Sequence, residues 1–279
     1  LNHSASGKFL LLKRTDNRKE TPAPKTSPGR PREREFTIYG WNACLAAFEN
    51  RPDDIRRVFF SKERSPRLAA VKRWCQQHKL PYRELDIESL NKVAASTHHE
   101  GAVMVVRPKT MQPVHGLIRN SLPPNSVIVA LDRVGDTHNL GAILRSCAFF
   151  GVAGMIIGSH EDQALVTSSA ARMAEGALET VPVHQSSDLA SALRDFKKND
   201  VCVLGADMDA EHSIYDAKIT FPCVVVVGSE KDGLSEKVKK RCDLLVKIPG
   251  QGAMQSLNVS VATGVILAEL NRRKSKLRK

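Results

Sequence analysis

Three clusters in this chain carry residue types that can do chemistry. The first runs Leu131-Asp132-Arg133-Val134-Gly135-Asp136-Thr137-His138-Asn139-Leu140-Gly141-Ala142-Ile143-Leu144-Arg145, a strand signal passing through a polar turn into a helix. Arg145 follows Asn139 by six residues, nearly two helical turns, and is expected at a similar angle on the helix among mainly apolar neighbours. A guanidinium there wants an anion, and spacing alone favours an internal pair with Asp132 or Asp136, or a surface guanidinium beside an apolar face, over a ligand. The second cluster, Val227-Gly228-Ser229-Glu230-Lys231-Asp232-Gly233-Leu234-Ser235, follows an apolar run from Cys223. Gly228 can leave the strand without steric cost and Glu230 sets a carboxylate beside a backbone pocket, although a ligand-free tight turn needs the same glycines. The third, Ile248-Pro249-Gly250-Gln251-Gly252-Ala253-Met254-Gln255-Ser256-Leu257-Asn258-Val259-Ser260, joins a glycine-containing loop to an apolar helix. Ser256 and Asn258 stand where helix N–H groups are exposed, so they cap the helix, bind a ligand, or do both.

The elements that must position these clusters read as two α/β units. From Thr37 to about Arg107, helix signals (Trp41 to Phe48, Pro66 to His78, Ile87 to Ser96) alternate with extended ones (Arg57 to Phe60, Tyr82 to Leu85, Ala102 to Val106). Pro108, Pro113, Pro123 and Pro124 punctuate a connection without clear periodicity. Beyond Asn125, the short apolar runs Val127 to Leu131, Gly154 to Ile157, Val201 to Ala206, Cys223 to Val227 and Leu244 to Ile248 suit a parallel sheet buried on both faces. Leu140 to Phe150, Ser168 to Glu175, Asp188 to Lys197 and Ser235 to Arg241 are the intervening helices. The expected organisation is a basic flexible arm over 1–35, an α/β module over 36–107, a linker over 108–124 and a larger α/β domain over 125–279.

Lys and Arg total 42 against 30 Asp and Glu, a formal charge of +12 across 279 residues, which favours a polyanionic partner such as RNA or DNA. No apolar run reaches the roughly 18 residues that span a bilayer, so a soluble, cytoplasmic protein is expected. The six cysteines form no CxxC pair and read as buried thiols. Neither GxGxxG nor GxxxxGK[ST] occurs, nor GxSxG or HExxH, which withdraws the usual support for dinucleotide, P-loop, hydrolase and zinc-protease chemistry. His98-His99-Glu100 reads as a turn or an RNA-facing surface, since adjacent histidines on an extended chain diverge.

Taken together and in order, Asn139-x-Gly141-x-x-x-Arg145, Gly228-x-Glu230-x-x-Gly233-Leu234, and Ile248-Pro249 followed by Ser256-Leu257-Asn258-Val259-Ser260 resemble the three motifs of the SpoU, or TrmH, family of RNA ribose 2′-O-methyltransferases in the SPOUT superfamily. The resemblance covers residues from about 125 to 275, within the family it points to the YfiF-like branch, and the front module resembles the family's ribosomal-protein-like RNA-binding domain. It implies an α/β trefoil-knot domain that binds S-adenosyl-L-methionine, dimerises through the knot, acts on tRNA or rRNA and needs no metal. By motif match, Asn139, Arg145, Glu230, Ser256 and Asn258 fall on catalytic positions, and Ala206, Gly228, Ile248 and Leu257 on cofactor-holding ones. Gly250 stands where many members have Met, and Thr137-His138 precede Asn139 where Pro is common. Under this reading Arg145 stabilises the developing oxyanion and grips a phosphate, because a free guanidinium, with a pKa above about 12, is a poor base. Gly228→Val is expected to abolish cofactor binding by entering the ligand's space while leaving the fold largely intact. Two alternatives stand beside it: a noncatalytic RNA-binding protein with the same fold, and a base-directed RNA methyltransferase.

Overall fold

A computed structural model of the chain describes residues 34–119 and 122–277. The expected basic arm therefore lies, up to residue 33, outside the described residues. The front module contains β1 (Phe36–Tyr39), α1 (Trp41–Asn50), β2 (Ile55–Phe60), α2 (Ala69–Gln77), β3 (Tyr82–Glu84), α3 (Ile87–Ala94) and β4 (Ala102–Val106). Its sheet has the order β1-β4-β2-β3, with β4 antiparallel to both neighbours. Ala102, Met104 and Val106 of β4 pack with α1 and α2, while Val103 turns to α3, so both faces of the strand are buried.

The segment expected to be only a connection forms β5 (Gln112–Pro113) and α4 (Val114–Arg119). Val114 enters a buried cluster, and Leu117 and Ile118 pack against it, which anchors α4 although Gly116 and the flanking prolines mask its periodicity. Then follow β6 (Val127–Asp132), α5 (Thr137–Phe149), β7 (Gly154–Gly158), α6 (Ser168–Met173), α7 (Ala177–Thr180), β8 (Val183–Ser186), α8 (Leu189–Lys197), β9 (Cys202–Ala206), β10 (His212–Ser213), β11 (Cys223–Gly228), α9 (Glu236–Lys239), β12 (Leu244–Lys247) and α10 (Val259–Leu277). Strands β5 to β12 form one sheet in the order β10-β12-β9-β11-β6-β7-β8-β5, and every pairing in it is parallel.

Side chains of period two divide this sheet's burial between two layers. Val127, Val129 and Leu131, with Cys223, Val225 and Val227, face Leu140, Ile143 and Leu144 of α5 and Ile266, Leu267 and Leu270 of α10. Ile128, Ala130, Val224 and Val226 face Leu193 and Phe196 of α8 and Val238 of α9. Burial on both faces accounts for the unbroken Val-rich runs. Among the described residues no helix is long and apolar enough to cross a membrane.

Candidate functional site

Gly228 at the end of β11 lies in register with Asp132 at the end of β6, so the loops leaving these strands start side by side. Here the strand order reverses, the place where open parallel sheets expose ligand crevices at their carboxyl edge. The loop after β6 ends at Asp136, whose carboxylate accepts the His138 N–H at 2.6 Å and caps α5. Asn139 consequently sits in the first turn of α5. The loop after β11 is closed on itself: Gly233, with φ +65°, donates its N–H to Ser229 O at 3.0 Å, and Asp232 N–H donates to Ser229 Oγ at 3.0 Å. This curl turns Glu230 toward α5.

At the start of α10, Asn258 Oδ1 accepts from the Ser260 N–H at 2.9 Å and from Ser260 Oγ at 2.6 Å. That fixes its amide, and its Nδ2 donates to Asn139 Oδ1 at 3.0 Å. The Asn139 amide is thereby oriented in turn, and its Nδ2 donates to the Glu230 carboxylate. Residues 119 and 91 positions apart in sequence thus form one chain of donors and acceptors with a single consistent orientation. Asn258 therefore caps the helix, as the sequence suggested, and also joins the polar chain.

Beside this polar chain lies a cleft of about 310 Å³ at the carboxyl ends of β9, β11 and β12. Ala206, Gly228, Glu230, Ile248, Ser256 and Leu257 all line it. Val259, Ala262 and Ile266 supply an apolar wall from α10. Sequence reading did not single out the pair on the opposite wall, Asp207 and Lys239, whose Nζ meets the carboxylate at 2.7 Å. Burial is the largest influence on Asp207 and opposes its charge, but the Lys239 hydrogen bond, the Asp209 N–H and the Lys239 charge together hold the carboxyl below its usual range, while the same hydrogen bond raises Lys239. An acidic residue directly after the strand β9 was the available signal.

Three expectations change here. A Cβ on Gly228 would fall 2.2 Å from the backbone carbon of Gly233. The glycine therefore serves the loop's own closure, and a valine there would break the local fold instead of merely filling ligand space. Arg145 does not share the bearing of Asn139, because six residues at 3.6 per turn leave the two about 120° apart. Its side chain is 64% exposed, with the guanidinium 3.5 Å from Glu175, so the surface position fits and the pair with Asp132 or Asp136 does not. It is not among the residues lining the cleft. Asp132 instead accepts the Ser235 N–H at 2.6 Å. His99, read as a turn or RNA-facing residue, is buried, with Nδ1 accepting from Gly101 N–H at 3.0 Å and Nε2 beside Asn91 Oδ1 at 3.0 Å.

Residues 126–268 match the SpoU rRNA methylase family, and residues 37–112 match the RNA 2′-O ribose methyltransferase substrate-binding family. The chain is 34% identical over 241 residues to the uncharacterized tRNA/rRNA methyltransferase YfiF of Escherichia coli O157:H7, covering 86% of this chain and 69% of that one. It is likewise 34% identical to the 23S rRNA (guanosine-2′-O-)-methyltransferase RlmB of Xanthomonas axonopodis pv. citri (strain 306), covering 85% of this chain and 96% of that one. Among solved structures, the SpoU methyltransferase AviRb from Streptomyces viridochromogenes, in complex with the cofactor AdoMet, shares the fold with a TM-score of 0.71 at 23% identity, over 87% of this chain and 91% of that one. An RNA 2′-O ribose methyltransferase shares it with a TM-score of 0.73 at 22% identity, over 87% and 90% of the two chains.

Proposed function

Since the chain belongs to the SpoU rRNA methylase family, we propose that it transfers a methyl group from S-adenosyl-L-methionine to a ribose 2′-hydroxyl of tRNA or rRNA in the cytoplasm. The observation that carries this reading is the Glu230–Asn139–Asn258 chain at the rim of the strand-end cleft. The donor set suits the cofactor. Ile248, Leu257 and Ile266 offer apolar surface for a purine, the ends of β9, β11 and β12 bring backbone groups close, and Glu230 places a carboxylate near a cationic sulfonium. When bound, the cofactor supplies an electrophilic methyl group.

The chain's own residues then have three tasks. Asn139 and Asn258, their amides locked by capping and by Glu230, position the ribose, since in-line displacement rewards alignment before anything else. The exposed Ser256 hydroxyl adds a polar contact on the cleft wall. As the 2′-hydroxyl releases its proton to solvent water, Arg145 meets the negative charge that builds on the 2′-oxygen and grips the phosphate next to it; its planar fork suits both.

Arg145 acts from the outer face of α5, where Phe149 is 82% exposed one turn further on and Val261 of the adjoining α10 is 52% exposed. A homodimer formed on this face buries both apolar side chains and brings each Arg145 to the boundary between the two copies. The family's trefoil knot, with the 248–258 segment threaded ahead of α10, completes the reading. Labelled S-adenosyl-L-methionine incubated with the protein and either total rRNA or total tRNA should put label into one RNA pool. No label in either, together with no calorimetric cofactor binding in the presence of RNA, would contradict it.

A further inference from the structure

Arg145 has one ionic partner among the described residues, and that partner belongs to a corner on which the front module is seated. The Glu175 carboxylate is divided between two helices. Oε1 lies 3.5 Å from Arg145 Nη1 on α5, and Oε2 accepts from Asn42 Nδ2 on α1 at 2.6 Å. Glu175 adopts φ +51°, a left-handed backbone that non-glycine residues rarely take, and it is followed by Gly176 at φ +94°. A Cβ on Gly176 would meet the Ala46 Cβ of α1 at 2.6 Å, so α1 is seated directly on this corner between α6 and α7.

The module is fastened on both sides of the same corner. Arg51 donates to Glu179 through Nε and Nη2 at 2.7 and 2.9 Å, with the glutamate side chain only 3% exposed. Arg172 of α6 pairs with Glu100 at 2.9 Å, and that carboxylate's other oxygen accepts the Trp41 N–H that opens α1. The Glu175 carboxylate is therefore held from the α1 side as well as by Arg145. An exposed ion pair such as Arg145–Glu175 adds little to stability, which leaves orientation of the guanidinium as its consequence.

We infer that Glu175 is a positioning residue for Arg145, and that the front module, through Asn42, sets the orientation of the guanidinium used in methyl transfer. This rests on the function proposed above. The module then does more than hold RNA: its seating on the α6–α7 corner is transmitted to the reacting end of α5. Strain held in the left-handed Glu175 is consistent with a site whose geometry is dictated by its surroundings.

The test uses the full chain carrying Asn42→Ala or Glu175→Gln, with two readouts. In single-turnover transfer at saturating RNA and cofactor, Glu175→Gln should slow the step by roughly tenfold or more, as expected for a displaced catalytic group. Cofactor and RNA affinities should change less than about twofold. In an Arg145→Lys background the same substitution should add nothing, because Glu175 acts through Arg145. Independent of turnover, the side-chain Nε–H nuclear magnetic resonance signal of Arg145 should shift in Asn42→Ala in the same direction as in Glu175→Gln. An unmoved Arg145 signal in Asn42→Ala, or additive losses in the double variant, would overturn the inference. A wild type that transfers nothing but shows the coupled shifts would retain the positioning link and remove the methyl-transfer reading instead.

Discussion

The two polar groupings near α5 differ in what supports them. The Glu230–Asn139–Asn258 chain is built wholly within the C-terminal domain, from two helix starts and one self-closed loop. The Arg145–Glu175–Asn42 grouping crosses into the front module and depends on where α1 sits. One sequence thus makes a strand-end cleft built within the domain that carries the larger sheet, and a guanidinium whose partner carboxylate also bonds the front module. On the proposed reading, chemistry and substrate reading are separated in sequence and meet at the Glu175 carboxylate.

The largest effect that can break this comparison is on Arg145. Arg145→Ala should slow transfer by about 10²- to 10³-fold, the usual cost of losing a donor to a developing oxyanion, with cofactor binding unchanged. Arg145→Lys should not restore it, since an ammonium lacks the planar fork. Near-normal single-turnover transfer by the Lys variant would remove the role given to the guanidinium.

A smaller split should separate the two asparagines. Asn139→Ala should slow transfer by about tenfold or more and leave the unfolding midpoint nearly unchanged. Asn258→Ala should slow transfer similarly and also destabilise the fold by roughly 1 kcal/mol, because it removes the cap of α10 as well. Equal stabilities for the two variants would show that the cap is dispensable.

Gly228→Ala tests the loop without invoking any ligand. With a Cβ only 2.2 Å from the Gly233 backbone, the curl must open, and a loss of roughly 2–3 kcal/mol is expected by denaturant titration. An unchanged midpoint would return the glycine to a purely ligand-facing role.

The smallest effect concerns pH and belongs to the front module. Burial lowers the pKa of His99 below the ordinary histidine value of about 6.5. The unfolded chain therefore takes up this proton first as pH falls, so the His99 contribution is present above about pH 6.5 and is lost below it. His184 is lowered by burial with the same sign, so comparing wild type with His99→Gln by denaturation between about pH 8 and 5 isolates the module's share. A stability that rises on acidification in wild type alone would contradict the assigned neutral, buried ring.

How much of this was legible in the sequence follows from how local each signal is. The runs Val127 to Leu131 and Cys223 to Val227 announce buried parallel strands, because both faces demand apolar residues. β8 escapes the same reading, since its Val183-His184-Gln185-Ser186 buries a histidine and a serine. Asn139, Glu230 and Asn258 stand out by motif order, and Asn258 also by its capping position. The surface position of Arg145 is legible in the sequence, but Glu175 is invisible: its partner Asn42 is 133 residues away, and only the packing of α1 on Gly176 brings them together.

The most direct test of the central claim is to locate the transferred methyl group. RNA methylated by the wild-type protein would be digested to nucleosides and analysed by mass spectrometry, with Asn139→Ala run in parallel. A single 2′-O-methylated ribonucleoside is expected, its yield collapsing in the variant. A methyl group on a base, or a ribose methylation unaffected by loss of Asn139, would contradict it.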